Sequence, residues 1–198
     1  MSSSLVKKGY NQIASNYLKN RDRFESISYL RRLTKYLKPG AKILDLGCGA
    51  GLPVDKFLID KGFDVIGVDI SEEQIRLAKE NVPLGKFEVK DIKKLKFKEY
   101  EVDVVVSFYT IFHIKRKRHK LLFKKIASFL PKGGMLLVSM GASDWEGIDS
   151  FYGVRMFWSH YSQKTNREII KDAGFEIIFD KIDKSGGEKH QVILATSI

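Results

Sequence analysis

The stretch Ile43-Leu44-Asp45-Leu46-Gly47-Cys48-Gly49-Ala50-Gly51 decides how this chain is read: an apolar run of strand length enters a turn with glycine at every second place, and a helix-length amphipathic segment follows. Glycines in such a turn allow positive φ and let a ligand approach the backbone, while the first N–H groups of the helix stay exposed to it. A dinucleotide fingerprint needs a third glycine where Leu52 stands, and Gly51 comes one residue early, which disfavours a nicotinamide dinucleotide. No Gly-Lys-Ser/Thr follows, so a P-loop is excluded.

Working outward, apolar runs at 42–46, 64–69, 87–90, 102–108 and 135–140 alternate with amphipathic stretches at 51–61, 71–81 and 115–130. This alternation predicts an α/β fold, a doubly wound and mostly parallel sheet with helices on both faces. After a helix over 163–173, the runs 175–180 and 191–195 are joined only by 181–189, whose Ser185-Gly186-Gly187 reads as a hairpin turn, so one late strand is expected antiparallel. Two segments fit the sheet poorly. Residues 1–26 carry Tyr10, Tyr17 and Phe24, and residues 141–162 carry Trp145, Phe151, Tyr152, Phe157, Trp158 and Tyr161 among glycines and charges. Their aromatics either staple irregular segments to the core or line a pocket over the carboxyl edge of the sheet.

At 198 residues with 43% hydrophobic and 30% charged composition, the chain suits one packed domain, 1–198, rather than a disordered or fibrous chain. No apolar run nears the roughly 20 residues that span a bilayer, and the first residues lack the apolar core of a secretory signal. With a single cysteine, Cys48, a reducing, cytoplasmic location without membrane association is expected. The net charge of +11 is uneven: residues 1–42 hold ten bases against two acids, residues 115–125 hold seven bases and no acid, and the remainder sums to −4. Clustered bases are a candidate footprint for phosphate, RNA or another anion, or a plain solvated surface.

The motifs resemble the class I S-adenosylmethionine-dependent methyltransferases, whose first motif is an acid followed by G-x-G-x-G, matched by Asp45, Gly47, Gly49 and Gly51. In order along the chain, Val65 to Ser71 is similar to the family's second-strand motif, Glu88 to Ile92 to the third, Asp103 to His113 to the fourth strand and its exit, and Leu130-Pro131-Lys132-Gly133-Gly134 to the turn before the fifth. Tyr10, Ala14 and Tyr17 resemble the family's Y-x-x-x-A-x-x-Y opening, a lid over the cofactor. The resemblance implies a seven-stranded sheet of order 3-2-1-4-5-7-6 with the last strand antiparallel, S-adenosylmethionine as cofactor, S-adenosylhomocysteine as product, and no metal. It implies that Asp69 accepts from the ribose hydroxyls, Ile70 packs on adenine and Asp91 accepts from the adenine amino group, with Tyr17, Ile92 and Ser107 completing the cofactor site. Independently, a carboxylate at a strand's carboxyl end 18 residues past Gly51 is placed for paired hydroxyls, or for capping the helix that starts near Ser71.

Methyl transfer from a sulfonium is an in-line displacement in which the protein aligns and desolvates the nucleophile. The exit of the fourth strand reads Ser107-Phe108-Tyr109-Thr110, without the N/D-P-P-Y/F of one class of nucleic-acid N-methylases. Cytosine C5 methylation needs a free cysteine nucleophile, and Cys48 is inside the glycine loop. His113, just past the fourth strand, is the candidate general base or substrate orienter, or else a histidine that fixes its loop through a backbone hydrogen bond. Tyr10, Tyr109, Trp145, Trp158, His160 and Tyr161 are the candidates for the acceptor pocket, with 1–26 as lid and 141–162 as substrate-shaping insertion. Lys115-Arg116-Lys117-Arg118 at a helix start opposes the helix dipole, which favours an anionic neighbour, and both basic clusters are expected to rim one opening. Three readings stand: a methyltransferase acting on O, N or S of a small molecule, an RNA methyltransferase holding phosphates on the basic rim, and a non-catalytic binding module. Nothing in the sequence specifies an oligomeric state.

Overall fold

A computed structural model describes residues 2–20 and 25–198. Phe24, and the charged residues Arg21, Asp22 and Arg23 of the first basic cluster, lie outside the described residues. The chain forms helix α1 (Ser2–Leu18), α2 (Ser26–Leu33), β1 (Lys42–Leu46), α3 (Val54–Asp60), β2 (Asp64–Asp69), α4 (Glu72–Asn81), β3 (Lys86–Val89), β4 (Val104–Ser107) and α5 (His119–Ala127). It continues through β5 (Met135–Gly141), β6 (Trp145–Phe151), β7 (Val154–His160), α6 (Gln163–Asp172), β8 (Phe175–Asp183) and β9 (His190–Ser197).

Seven strands make one sheet in the order β3-β2-β1-β4-β5-β9-β8. The central pairs are parallel, with Ile43 opposite both Val65 and Val104, and β9 runs antiparallel between β5 and β8, with Leu194 opposite Leu137. This is the expected order, the last two strands being renumbered because a separate hairpin, β6-β7, intervenes. Central strands read as unbroken apolar runs because both faces are covered. Leu44, Leu46, Val105 and Leu136 pack beneath Phe123, Ile126 and Ile170, whereas Ile43, Val104, Val106 and Leu137 pack beneath Leu30, Leu33 and Leu58. Helices α5 and α6 thus cover one face and α2 and α3 the other.

Two expectations change here. The helix expected over 115–130 is shorter: Lys115 is extended, 116–118 form a single 3-10 turn, and only His119–Ala127 is α-helical. The segments that fitted the sheet poorly are regular structure. Residues 2–18 are helical, and 145–160 are a hairpin whose turn places Tyr152 at φ 50° and Gly153 at φ 79°, both left-handed, as a two-residue hairpin turn of the favoured twist requires. They pack on each other, Val6 and Ile13 against Met156 and Phe157, and form a small core of their own over the carboxyl edge of the sheet.

The bases of α2 in the first cluster lie on the sheet face opposite residues 115–125, whereas Lys7, Lys8 and Lys19 lie on α1 or directly after it. Residues 31–38 run through α2 and the turn after it on one face, where the Arg32 guanidinium sits 4.3 Å over the ring of Phe179, and Lys7 pairs with Glu72 on α4. Residues 115–125 lie on the α5 face.

Candidate functional site

The carboxyl ends of β1, β2 and β4 open into a cavity roofed by α1. Its floor is the glycine loop. The N–H groups of Gly47 and Cys48 both donate to the Val68 carbonyl, at 2.7 and 3.1 Å, which holds the loop against β2. Gly47 has φ 84°, and a Cβ there would lie 1.9 Å from Thr110 Oγ1, so only glycine lets the loop exit pass under the β4 exit. Gly51, at φ 76°, faces away from the cavity, where a Cβ would come within 3.0 Å of the Val82 side chain, so it serves the packing of the loop on α4.

Asp69 closes the end of β2. Its Oδ2 accepts from the Gly49 N–H at 3.1 Å and its Oδ1 from the Ser71 N–H at 2.9 Å, while burial pushes its carboxyl up to about 6. The side-chain cap of α4 is Ser71, which accepts from the Gln74 N–H at 3.1 Å, so the carboxylate of Asp69 stands at the glycine loop rather than in the cap. Asp91 caps the short turn after β3 through the Lys93 N–H at 3.0 Å and receives the Ser3 hydroxyl of the lid at 3.0 Å. Asn11 of α1 accepts from the Ser71 hydroxyl at 2.6 Å and donates to Glu72 at 3.1 Å. The roof is therefore tied by polar contacts to the acidic edge that it covers.

His113 sits under α1 in the turn after β4. Its Nδ1 lies 2.8 Å from the Phe157 carbonyl, which only accepts, so Nδ1 carries the proton and the free Nε2 faces the Tyr10 hydroxyl at 2.8 Å. Burial lowers this imidazole to about 4, which keeps it neutral at neutral pH. The ring of Trp158 stacks beside it at 4.5 Å and Tyr17 stands edge-on to Tyr10 at 5.4 Å. The loop-fixing reading of His113 is seen in the Nδ1 bond to the hairpin, while Nε2 is bonded to Tyr10 in the cavity wall.

Of the residues singled out from the sequence, Tyr10, Tyr17, Gly47, Gly49, Asp69, Ile70, Asp91, Ile92, Tyr109 and His113 line the cavity. The others do not, each for a physical reason. Asp45 is buried beneath the loop, and the Ser107 hydroxyl is spent on the Leu46 carbonyl at 2.7 Å. Trp158 packs behind His113, Tyr161 stands edge-on to His119, and the exposed Trp145 leans on His160 at the open end of the hairpin. None of residues 141–162 is among the described residues that line the cavity; the hairpin bears on it through His113, which the Phe157 carbonyl holds and the Trp158 ring backs. The sequence reading missed Gln74, which lines the cavity with both side-chain polar atoms buried and unpartnered among the described residues. It also missed Asp55, fully buried, whose carboxyl is raised well above the usual carboxylate range first by burial and then by Asp45. Gln74 falls on the inner stripe of α4, at the spacing of Ile75 and Ala78, which is the one signal that was present. Cys48 is buried and its thiol is pushed up by burial and by the Asp55, Asp69 and Asp45 carboxyls, so it is no nucleophile.

The methyltransferase-domain family matches residues 43–134, from β1 to the turn before β5. Nearly half of the chain, the glycine loop and β1 to β4 included, is thus similar to a methyltransferase domain, in line with the motif resemblance. Among curated relatives, phosphoethanolamine N-methyltransferase 1 of Zea mays is 39% identical over 158 residues, 75% of this chain and 31% of the relative. The 2-methyl-6-phytyl-1,4-hydroquinone methyltransferase of Synechocystis is 34% identical over 125 residues, 62% of this chain and 37% of the relative. The chain spans about a third of the length of these relatives. Magnesium protoporphyrin IX methyltransferase of Synechocystis, solved with S-adenosylmethionine bound, shares the fold at a TM-score of 0.67 and 20% identity over 96% of this chain and 80% of that chain. A methyltransferase of Methanosarcina mazei does so at 0.73 and 21% over 84% and 96%. The cavity fits the family's cofactor: it joins a glycine cradle that a Cβ would obstruct to an acid at the end of β2, and Gln74 keeps hydrogen-bonding capacity.

Proposed function

We propose that this protein transfers the methyl group of S-adenosylmethionine to an oxygen, nitrogen or sulfur of a small-molecule acceptor, in the part of the cavity between Tyr10, Tyr109 and His113. The observation that carries this reading is the Tyr10–His113 pair, set in the wall of the same cavity as the glycine loop and Asp69. The bound cofactor supplies a methyl group on a good leaving group. Asp69, fixed by two backbone N–H groups, has its lone pairs oriented for the ribose hydroxyls, and Gly47 and Gly49 let the backbone close on the ligand. Asp91 becomes an acceptor for the adenine amino group once the Ser3 hydroxyl yields its place. His113, neutral and with Nε2 unprotonated, accepts a hydrogen bond from an acceptor O–H or N–H in exchange for Tyr10 and so turns the acceptor lone pair toward the methyl group. Helix α1 excludes water above it. The relatives' printed acceptors, phosphoethanolamine and a hydroquinone, are small molecules, which supports this class.

Calorimetry with S-adenosylmethionine, followed by a radiolabelled methyl-transfer screen over small-molecule and RNA pools, tests the reading. Micromolar cofactor binding and label in a small molecule are expected. Protein that bound a nicotinamide dinucleotide and ignored S-adenosylmethionine, or that labelled only RNA, would overturn it.

A further inference from the structure

A second, open groove of about 990 Å³ lies beside the cofactor cavity, lined by Lys93, Lys115, Lys117 and Arg118 with Ile148 and Phe157 between them. Lys115, Lys117 and Arg118 have no carboxylate partner among the described residues, and Lys93 reaches only to 3.9 Å from Asp91. Arg116 behaves differently: it turns to Asp144 at 3.7 Å and to the ring of Tyr161 at 5.4 Å. The backbone that carries the cations is held in place, since the Arg116 N–H donates to the buried Ser159 hydroxyl at 2.6 Å, and that hydroxyl donates to Glu146. Three like charges on four consecutive residues repel one another and oppose the dipole of α5, so the arrangement is unfavourable in isolation and is relieved by an anion placed among them.

The groove and the acceptor cavity are neighbours. Lys93 lines both, and the dividing wall is made of consecutive residues that face opposite ways, Leu5 against Val6 and Ile114 against Lys115. Phe157 joins them too: its side chain lines the groove while its carbonyl holds His113. We propose that this groove binds a phosphate or diphosphate group carried by the methyl acceptor, with its adjoining apolar portion against Phe157 and Ile148. Compact, multiply charged phosphate oxygens match four converging donors, whereas a neutral acceptor leaves them unused. Ile148 is 48% exposed, which leaves an apolar surface for such a ligand to cover. The inference rests on the small-molecule reading above and narrows it to phosphorylated acceptors.

The test is calorimetric titration of inorganic pyrophosphate into the full chain saturated with S-adenosylhomocysteine, repeated on the triple variant Lys115→Ala, Lys117→Ala, Arg118→Ala and on Arg31→Ala with Lys35→Ala from the opposite face. The expected result is binding in the millimolar range or tighter, weakened at least about tenfold in the triple variant and unchanged in the control, with affinity for S-adenosylhomocysteine the same in all three. The variants change exposed side chains, so retained S-adenosylhomocysteine binding reports that each is folded. Pyrophosphate binding that the triple variant leaves intact, or none at all, overturns the proposal. So does a single-stranded RNA that binds at these cations about a hundredfold more tightly than pyrophosphate, or capture by phosphatidylcholine and phosphatidylglycerol vesicles without pyrophosphate binding; these outcomes assign the groove to nucleic acid and to a lipid surface respectively. Failure of the wild-type protein to bind S-adenosylhomocysteine is separate: it removes the proposed function, and the pyrophosphate titration of the free protein then still reads the groove.

Discussion

The Tyr10 hydroxyl donates to Nε2 of His113 at 2.8 Å, a bond between the lid helix and the exit of β4 that spans 103 residues of sequence. Its direction is settled at the far side of the ring, where Nδ1 gives its proton to the Phe157 carbonyl. Helix α1, the turn after β4 and the β6-β7 hairpin meet at one imidazole. His113→Ala is expected to lower kcat about 10² to 10⁴-fold with cofactor affinity changed little, and Tyr10→Phe to have a smaller effect. Because burial holds His113 near 4, the rate profile between pH 6 and 8 carries no inflection from it. An inflection near 6.5 that His113→Gln removes would show that the ring titrates during turnover.

Asp69 gives the cofactor site its own pH dependence. On the proposed function, ionised Asp69 accepts from both ribose hydroxyls, and protonation removes an acceptor. With the folded-state value raised to about 6 from 3.8, affinity for S-adenosylmethionine is full above pH 7 and falls by up to about tenfold per unit below 6. For stability the sign is opposite: the folded state holds this proton more tightly than the unfolded chain, so the contribution of Asp69 is most favourable below about 4 and declines as pH rises through 6. Calorimetry across pH 5 to 8 checks the first statement, and Asp69→Asn, which stays uncharged, is expected to flatten it.

Gly47 is where the loop tolerates no side chain. Alanine there must hold φ 84° and place its methyl into Thr110, so Gly47→Ala is expected to cost about 1–3 kcal/mol of stability and to weaken cofactor binding at least tenfold. If Gly47→Ala with Thr110→Gly binds no better than Gly47→Ala alone, backbone strain rather than the Thr110 clash is the larger effect.

The lid is held by few bonds. Asn11→Ala removes the contacts to Ser71 and Glu72 and is expected to raise the dissociation rate of S-adenosylmethionine about fivefold, which corresponds to about 1 kcal/mol, with little change in melting temperature. Stopped-flow displacement measures it. An unchanged rate would mean that the apolar contacts of Val6 and Ile13, with the Ser3–Asp91 and Tyr10–His113 bonds, hold α1 in place without Asn11.

Much of the cofactor half was legible before folding. A parallel strand buried on both faces must be an apolar run, and a turn that brings backbone against a ligand must use glycine, so β1, its loop and the acid at the end of β2 are written locally. Ser107 illustrates the limit: it belongs to the right strand end, yet its hydroxyl is committed to Leu46 across the sheet, a partner 61 residues away that no local pattern reveals. Trp145, Trp158, His160 and Tyr161 were rightly drawn to attention as aromatics outside the sheet, but whether an aromatic lines a cavity or backs it depends on which face of the hairpin it occupies. The turn Tyr152-Gly153 was the missed signal for that hairpin.

The sequence by itself determined the doubly wound sheet and the glycine cradle, because these depend on periodicity and on backbone conformations that single residues permit or forbid, while the strand order followed from the motif resemblance. Tertiary structure alone decided that α1 and the β6-β7 hairpin pack on each other, that His113 is neutral with Nε2 facing Tyr10, and that the bases of α2 and those of residues 115–125 lie on opposite faces. Those outcomes depend on burial and on partners far apart in the chain, and neither distance in space nor desolvation is carried by residue order.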